Sequence, residues 1–379
     1  MSNIPVIDIS SLINNNKSHA NDLEKEKTIK QIGDACRNVG FFYISQHNIE
    51  EDLIKNLIQL SKKFFNKDLN YKNQINMAKG GKAWRGYFPI GDEITSGIVD
   101  QKEGIYFGKH QTDEEASLDH RHLHGQNIYP NDSDGFEMKK NVEEYINKCS
   151  ILGEIIMSSI ACSLGLDESY FIKQFQDPTT LFRIFNYPPH NAQYGDNSYA
   201  VGEHCDYGFI TILYQDECGG LEVRNLNPNT STNTRNANNI SNDYDNDNEW
   251  IQAPFIKDTF IINLGDALEH CTGGLLRATP HRVRQRVDAI SDRLSLPFFY
   301  DPNFNSQMKS LVSCLSSKDQ EVLNNRNNKN KNNDNDTGDQ SQYKRWDDTD
   351  VTLYRGTYGD YLLSKVAKVF PELALQTEC

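Results

Sequence analysis

From about residue 180 the chain reads as a succession of short β-rich runs broken by Gly, Pro or Asn/Asp: TTLFRIFNYPP, VGEHCDYGFITILYQ, GGLEVRN, EWIQAP, TFIINLG, TPHRVRQRV and RLSLPFFYDP. Short runs rich in β-branched and aromatic residues, bounded by turn formers, are strands. Seven in succession, with no long helical period between them, predict antiparallel pairing in a sandwich or jelly roll. Helical patterns flank this region. Residues 22–38 carry Leu23, Ile29, Ile32, Ala35 and Cys36 at helical spacing, and 50–66 form a second amphipathic segment. A long helix is predicted at roughly 135–164, with Phe136, Val142, Tyr145, Ile146, Cys149, Leu152, Ile155, Ile156 and Ile160 as its apolar stripe. A last helix runs over 357–371 and stops at Pro371, while IPVIDISSL (4–12) and GFFYIS (40–45) read as short buried strands. The expected class is α+β with a mainly β core between N- and C-terminal helices.

Two stretches break the order. Residues 225–248 hold ten asparagines and almost no apolar mass, and 324–340 repeat the theme in NNRNNKNKNNDNDTGD. Such segments cannot bury enough apolar surface to offset their ordering entropy, so both are expected to be disordered. The resulting division is an N-terminal region 1–175, a β core 176–310 carrying the insertion 225–248, an Asn-rich segment 311–345 and a C-terminal helix within 346–379, all as one compact unit.

Charge narrows the partners. With 39 Lys+Arg against 53 Asp+Glu, the net charge of −14 argues against nucleic acid or an anionic membrane surface, and no protein partner is implied. No apolar run is long enough to span a bilayer. The eight cysteines lack C-x-x-C spacing and no signal peptide opens the chain, which points to reduced thiols and a cytoplasmic setting.

Within VGEHCDYGFITIL (201–213), His204 and Asp206 are two positions apart before a strand-like run. On an extended strand such residues share a face, so an imidazole and a carboxylate can offer one nitrogen and one oxygen to one ion. Two histidines compete for third ligand. His270, in GDALEHCTGG, belongs to a helical turn, where the dipole is its usual explanation. His281, in ATPHRVRQRV, opens an alternating strand that can meet the pair across a barrel mouth, which favours it. Two histidines and one carboxylate form the facial triad of non-haem Fe(II) oxygenases, leaving open positions on the metal. The same three ligands also suit a catalytic zinc. Further on, DRLSLPFFY (292–300) sets Arg293 and Ser295 on one strand face. A guanidinium turned inward there needs an anion, and its planar fork suits a carboxylate.

H-C-D (204–206), NLGDALEHCTGGLLRATPHRV (263–283) and RLS (293–295), in this order, resemble the iron/2-oxoglutarate-dependent dioxygenases of the isopenicillin N synthase-like group, the iron/ascorbate-dependent oxidoreductases. IPVIDIS and IGDACRNVGFFYISQHNI look like that group's N-terminal region, so the resemblance covers most of the chain outside the Asn-rich segments. It implies a double-stranded β-helix (jelly roll) core, with Fe(II) held by His204, Asp206 and His281. It also implies 2-oxoglutarate as co-substrate, with its distal carboxylate on Arg293 and Ser295 and a contact from Tyr187. Phe185 stands where the family often has an asparagine, which removes that contact. The implied reaction consumes O2, releases succinate and CO2 and oxidises, usually by hydroxylation, a small organic substrate. Ascorbate would serve as reductant, and no catalytic side chain is needed beyond the metal centre. A 2-oxoglutarate-independent oxidase with the same triad, or a non-catalytic jelly-roll binding protein, are the alternatives. For the substrate pocket, the irregular segments 81–97 and 102–110 are expected over the barrel mouth, bringing Trp84, Arg85, Tyr87 and Phe107, with Phe298 and Phe299 added from the core.

Overall fold

A computed structural model describes residues 4–13, 19–95, 97–189, 199–226, 250–284, 290–333 and 354–369. In chain order its strands are β1 (Val6–Asp8), β2 (Phe41–Ser45), β3 (Gly86–Phe88), β4 (Ile94–Thr95), β5 (Ile98–Val99), β6 (Glu103–Gly108) and β7 (Pro178–Tyr187). There follow β8 (Tyr199–His204), β9 (Ile210–Gln215), β10 (Leu221–Arg224), β11 (Trp250–Gln252), β12 (Thr259–Leu264), β13 (His281–Arg284) and β14 (Arg293–Asn303). Eight of them form one sheet in the order β1-β2-β12-β9-β14-β7-β6-β3, and four form a second in the order β11-β10-β13-β8. Every pairing within the two sheets is antiparallel except β1 with β2. A cavity of about 120 Å³ is lined from both, by Tyr187, Thr211, Asn263 and Arg293 of the large sheet and Val201, His204, His281 and Val283 of the small one. This is the jelly roll.

The alternation of the long strands decides which side chains reach the cavity. On β7, Leu181, Arg183, Phe185 and Tyr187 face it; on β14, Arg293, Ser295, Pro297, Phe299 and Asp301 do. The intervening residues face the other way. Phe182 and Phe298 are fully buried there, and the ring of Tyr145 packs at a tilt 4.8 Å from Phe182. Tyr145 belongs to the helix Ser133–Ser163, whose first turn is capped by the Asp132 carboxylate accepting the Gly135 N–H. Gly153 brings that helix onto the sheet: a Cβ there would lie 2.6 Å from the Tyr300 ring. A contiguous apolar cluster extends from Ile4 to Val366 and joins both flanks to the core.

Several expectations change. VGEHCDYGFITILYQ is two strands, because β8 ends at His204 and β9 starts at Ile210, leaving Asp206 in the connection. Segments 81–97 and 102–110 are not wholly irregular: β3 and β6 extend the large sheet at its edge. Leu23 and Phe136 are exposed rather than members of the apolar stripes. Nine residues separate Leu23 from buried Ile32 and six separate Phe136 from buried Val142, spacings that turn each away from the core at 100° per residue. Val6 is likewise exposed, on an edge strand whose buried residue is Ile7. The segment 311–345 is not disordered throughout: Ser317–Asn333 is helical, and Leu311, Leu315 and Leu323 are buried in the core cluster. Those leucines supply the apolar anchorage that an asparagine count overlooks, and Arg37 adds an ion pair to Asp319 at 3.3 Å. Residues 227–249, nearly all of the first Asn-rich segment, and 334–353 lie outside the described residues. The C-terminal helix spans Tyr358–Val369. No described helix is long and apolar enough to cross a membrane.

Candidate metal centre and carboxylate clamp

His281 and His204 are direct partners in the antiparallel register between β13 and β8. Asp206 reaches the same point from the β8–β9 connection, and one ligand atom from each residue lies within 4.8 Å of the others. Asp206 Oδ1 is 3.9 Å from His204 Nε2 and 3.8 Å from His281 Nε2. Its second oxygen is occupied: Oδ2 accepts the Thr211 hydroxyl at 2.5 Å and the Asn263 amide at 2.7 Å. Those two donors, one each from β9 and β12, turn Oδ1 toward the imidazoles. Each histidine is also fixed in tautomer. His204 Nδ1 lies 2.9 Å from Gly202 O and His281 Nδ1 3.2 Å from Thr279 O. A carbonyl only accepts, so Nδ1 carries the proton and Nε2 keeps its lone pair for a metal.

The electrostatics agree. Burial lowers the pKa of both imidazoles, and with His204 beside it His281 falls to about 4. Burial opposes the charge on Asp206, yet His281, His204, Thr211 and Asn263 together hold its carboxyl below the usual value. The set at neutral pH is two neutral nitrogens and one carboxylate oxygen, the donor set of the facial triad. His270 is elsewhere, buried in the helix Asp266–Cys271 with Nε2 3.3 Å from Met308 O.

Further along the cavity lies a second polar group. Arg293 donates through Nε to Gly219 O at 2.6 Å and through Nη2 to Gln215 at 3.3 Å, and its guanidinium sits 4.7 Å from the Tyr187 ring. Its Nη1 is buried without a hydrogen-bond partner among the described residues. Ser295 and Tyr187 hold their hydroxyls 3.4 Å apart, diagonally across the β14–β7 ladder, where Tyr187 pairs with Arg293 and Ser295 with Phe185. A buried donor left unmet next to two hydroxyls is a fit for an incoming carboxylate. The protein's own residues therefore suit both Fe(II) and the distal end of 2-oxoglutarate.

Of the residues expected in the substrate pocket, Phe299 lines the cavity and the other five do not. Arg85 is buried behind it, donating to Ala83 O, Leu123 O and Asn127. Trp84 adopts a left-handed turn conformation beside it, with φ +48°. Tyr87 hydrogen-bonds Glu103 and packs on Phe64, Phe107 stacks on Tyr129, and Phe298 faces the helical layer. Strand parity is the reason: on β6 the cavity side belongs to Tyr106, whose ring meets the Arg183 guanidinium at 4.2 Å. The site residues missed from sequence are Thr211, Gln215, Asn263, Glu93, Lys102 and Arg183. Polar residues inside the apolar runs ITILYQ and TFIINLG were the available signal for the first three.

Strand order and the His204–Asp206–His281 cluster are those expected of a non-haem iron oxygenase. Comparison with known proteins makes this specific. Residues 4–132 match the N-terminal model of the non-haem dioxygenase in morphine synthesis, and residues 178–302 match the 2OG-Fe(II) oxygenase superfamily. A Dictyostelium discoideum protein named as an iron/ascorbate oxidoreductase is 39% identical, with 98% of this chain and 95% of that one covered. The 1-aminocyclopropane-1-carboxylate oxidase of the same organism is 31% identical over 97% and 95%. A homoarginine-6-hydroxylase of Glycine max is 31% identical over 82% and 88%. Among solved structures, a full-length Neurospora crassa protein in complex with alpha-KG superposes with a TM-score of 0.68 at 23% identity, covering 96% of both chains. The chain belongs to the 2OG-Fe(II) oxygenase superfamily. It is a 2-oxoglutarate-dependent dioxygenase, with Fe(II) as metal and 2-oxoglutarate as co-substrate.

Proposed function

We propose that this enzyme hydroxylates a small, freely diffusing amino-acid-type metabolite at the triad of His204, Asp206 and His281. The observation that carries the 2-oxoglutarate half is the buried, unmet Nη1 of Arg293, a side chain that lines the same cavity as the triad. In this reading Arg293, Ser295 and Tyr187 hold the distal carboxylate and fix the co-substrate's position. Thr211 and Asn263 orient Asp206, and Phe185, Phe299, Leu213 and Pro297 keep the reacting region dry. Bound there, ferrous ion supplies O2 activation coupled to oxidative decarboxylation of 2-oxoglutarate, which oxidises a substrate C–H bond. Ascorbate would return the metal to Fe(II) after uncoupled cycles. Relatives named for homoarginine and for 1-aminocyclopropane-1-carboxylate support an amino-acid-type substrate, and the net charge of −14 favours a small molecule over a nucleic acid. The scattered cysteines, without C-x-x-C spacing, favour a cytoplasmic setting. The contiguous cluster from Ile4 to Val366 supports one compact unit across the boundaries 1–175, 176–310 and beyond.

The test is an anaerobic titration of the Fe(II)-loaded protein with 2-oxoglutarate, then release of succinate and CO2 on aeration with a panel of amino acids. A charge-transfer band and substrate-stimulated succinate are expected. The similarity to an enzyme named an oxidase favours one second reading, substrate oxidation without 2-oxoglutarate. Product formation with no band and no succinate would establish it.

A further inference from the structure

Beside the clamp, on and next to the neighbouring strands of the large sheet, the cavity wall carries charges that neither metal nor co-substrate uses. Glu93, Lys102 and Arg183 line it, and Asp100 stands directly behind. Lys102 is fully buried; its Nζ lies 3.0 Å from Glu93 Oε2 and pairs with Asp100. Thr95 donates to the same Asp100 carboxylate at 2.7 Å, and Tyr106 donates to Glu93 Oε1 at 2.9 Å. Arg183 is different. Its guanidinium is held between the rings of Tyr106 and Phe299, at 4.2 and 4.8 Å, and its approach to Glu93 Oε1 is 3.9 Å, too long for a hydrogen bond. Its Nε is buried with no partner among the described residues.

A guanidinium immobilised by two aromatic rings and left without an acceptor is prepared for a carboxylate. The neighbouring charges limit what else the ligand can carry. Glu93 and Asp100 balance Lys102 and Arg183, so a ligand of net charge would leave one charge buried and uncompensated. A zwitterion leaves none. In an α-amino acid the carboxylate and ammonium sit on one carbon, which matches two receptor groups 3.9 Å apart. Resting on the dioxygenase reading above, we infer that Arg183 and Glu93 form the head-group site for an α-amino acid, with Arg183 taking the carboxylate and Glu93 the ammonium. Lys102 and Asp100 then act as positioning residues that hold Glu93 in place. The substrate side chain, pointing away from this head-group site, is what extends toward the triad.

The experiment is calorimetric binding to Fe(II)- and 2-oxoglutarate-loaded protein without O2. The probes are the standard L-amino acids, homoarginine and 1-aminocyclopropane-1-carboxylate. For each binder, the matched carboxamide and N-acetyl derivative are measured too. Losing either charge should weaken binding at least about tenfold, the scale of a hydrogen bond to a charged group. Arg183→Gln should weaken the free amino acid by a similar factor and leave the carboxamide unchanged. Glu93→Gln should do the same for the free amine against the N-acetyl form, and Arg183→Lys should recover part of the loss. Neither variant should alter the 2-oxoglutarate charge-transfer band. The inference is overturned if that band is intact and the panel does not bind, if simple monocarboxylic acids bind as well as amino acids, or if acid and carboxamide bind equally. Loss of the band itself in the wild-type protein would instead remove the dioxygenase reading.

Discussion

His281 sits opposite His204 across the β13–β8 ladder, with ring centroids 4.2 Å apart, so two candidate ligands 77 positions distant in sequence are brought together by strand pairing. His270, closer in sequence to His204, is committed to a helix and a backbone carbonyl. His281→Ala should therefore abolish stoichiometric Fe(II) binding, while His270→Ala should retain it and lose about 1–3 kcal/mol of stability from the buried contact. Metal content and chemical denaturation measure the two effects. Iron retained by His281→Ala and lost from His270→Ala would reverse the assignment.

The two donors on Asp206 Oδ2 matter because they leave Oδ1 free to face the imidazoles. Asn263→Ala and Thr211→Val should each weaken Fe(II) affinity about 10–100-fold, the range for groups that orient a metal ligand. An unchanged dissociation constant in both variants would show that the carboxylate needs no such support.

Arg293→Gln should raise the 2-oxoglutarate concentration needed for half-maximal charge-transfer absorbance by at least about tenfold, since a charged, forked donor is lost. Iron binding should be preserved. Arg293→Lys keeps the charge but not the planar fork and should recover only part of the affinity. Equal affinity in all three proteins would place the carboxylate elsewhere.

Asp301 links the site to the C-terminal helix. It accepts the Phe209 N–H at 2.7 Å and the Tyr358 hydroxyl at 2.6 Å, and Gly208 is required beside it because a Cβ there would lie 1.8 Å from its Oδ1. Burial raises its pKa from 3.8 to about 7. A carboxyl with a raised folded value binds its proton more tightly when folded, so its contribution is full below pH 3.8 and is lost as pH rises through 7. Metal-free wild-type protein should therefore lose stability relative to Asp301→Asn across that window, by at most about 4 kcal/mol. Denaturant unfolding at a series of pH values measures the difference. A pH-independent difference would mean that folding leaves the Asp301 carboxyl at its ordinary pKa.

Arg224 and Trp250, at the two ends of the first Asn-rich segment, are Cα partners in the β10–β11 hairpin. Asn-Gly in place of residues 225–249 can close that hairpin with a two-residue turn. Iron binding and turnover should be unchanged, and stability should shift by no more than about 1–2 kcal/mol, because loop length enters only logarithmically. Loss of soluble, iron-binding protein would give the segment a structural role.

Local pattern was enough for the β core and the major helices, because apolar spacing follows each element's own period. It was also enough to nominate His204, Asp206, His281, Arg293 and Ser295, whose types and order are distinctive. It failed where a residue's surroundings come from distant chain. The helix Ser317–Asn333 runs on into the asparagine-rich stretch that starts at Asn324, and its support is the burial of Leu311, Leu315 and Leu323 against the core. Trp84, Arg85, Tyr87 and Phe107 had suitable chemistry but faced away from the cavity.

Alone, the chain's letters determined periodicity, strand succession and the kinds of donor atom available, since these are properties of near neighbours. Only the folded sheets decided which face each donor takes, that Asp206 meets the histidines from a loop, and that Glu93, Lys102 and Arg183 gather in one cavity with the clamp. Those outcomes depend on register between strands far apart in sequence, and shifting a strand by one residue turns every side chain to the opposite face.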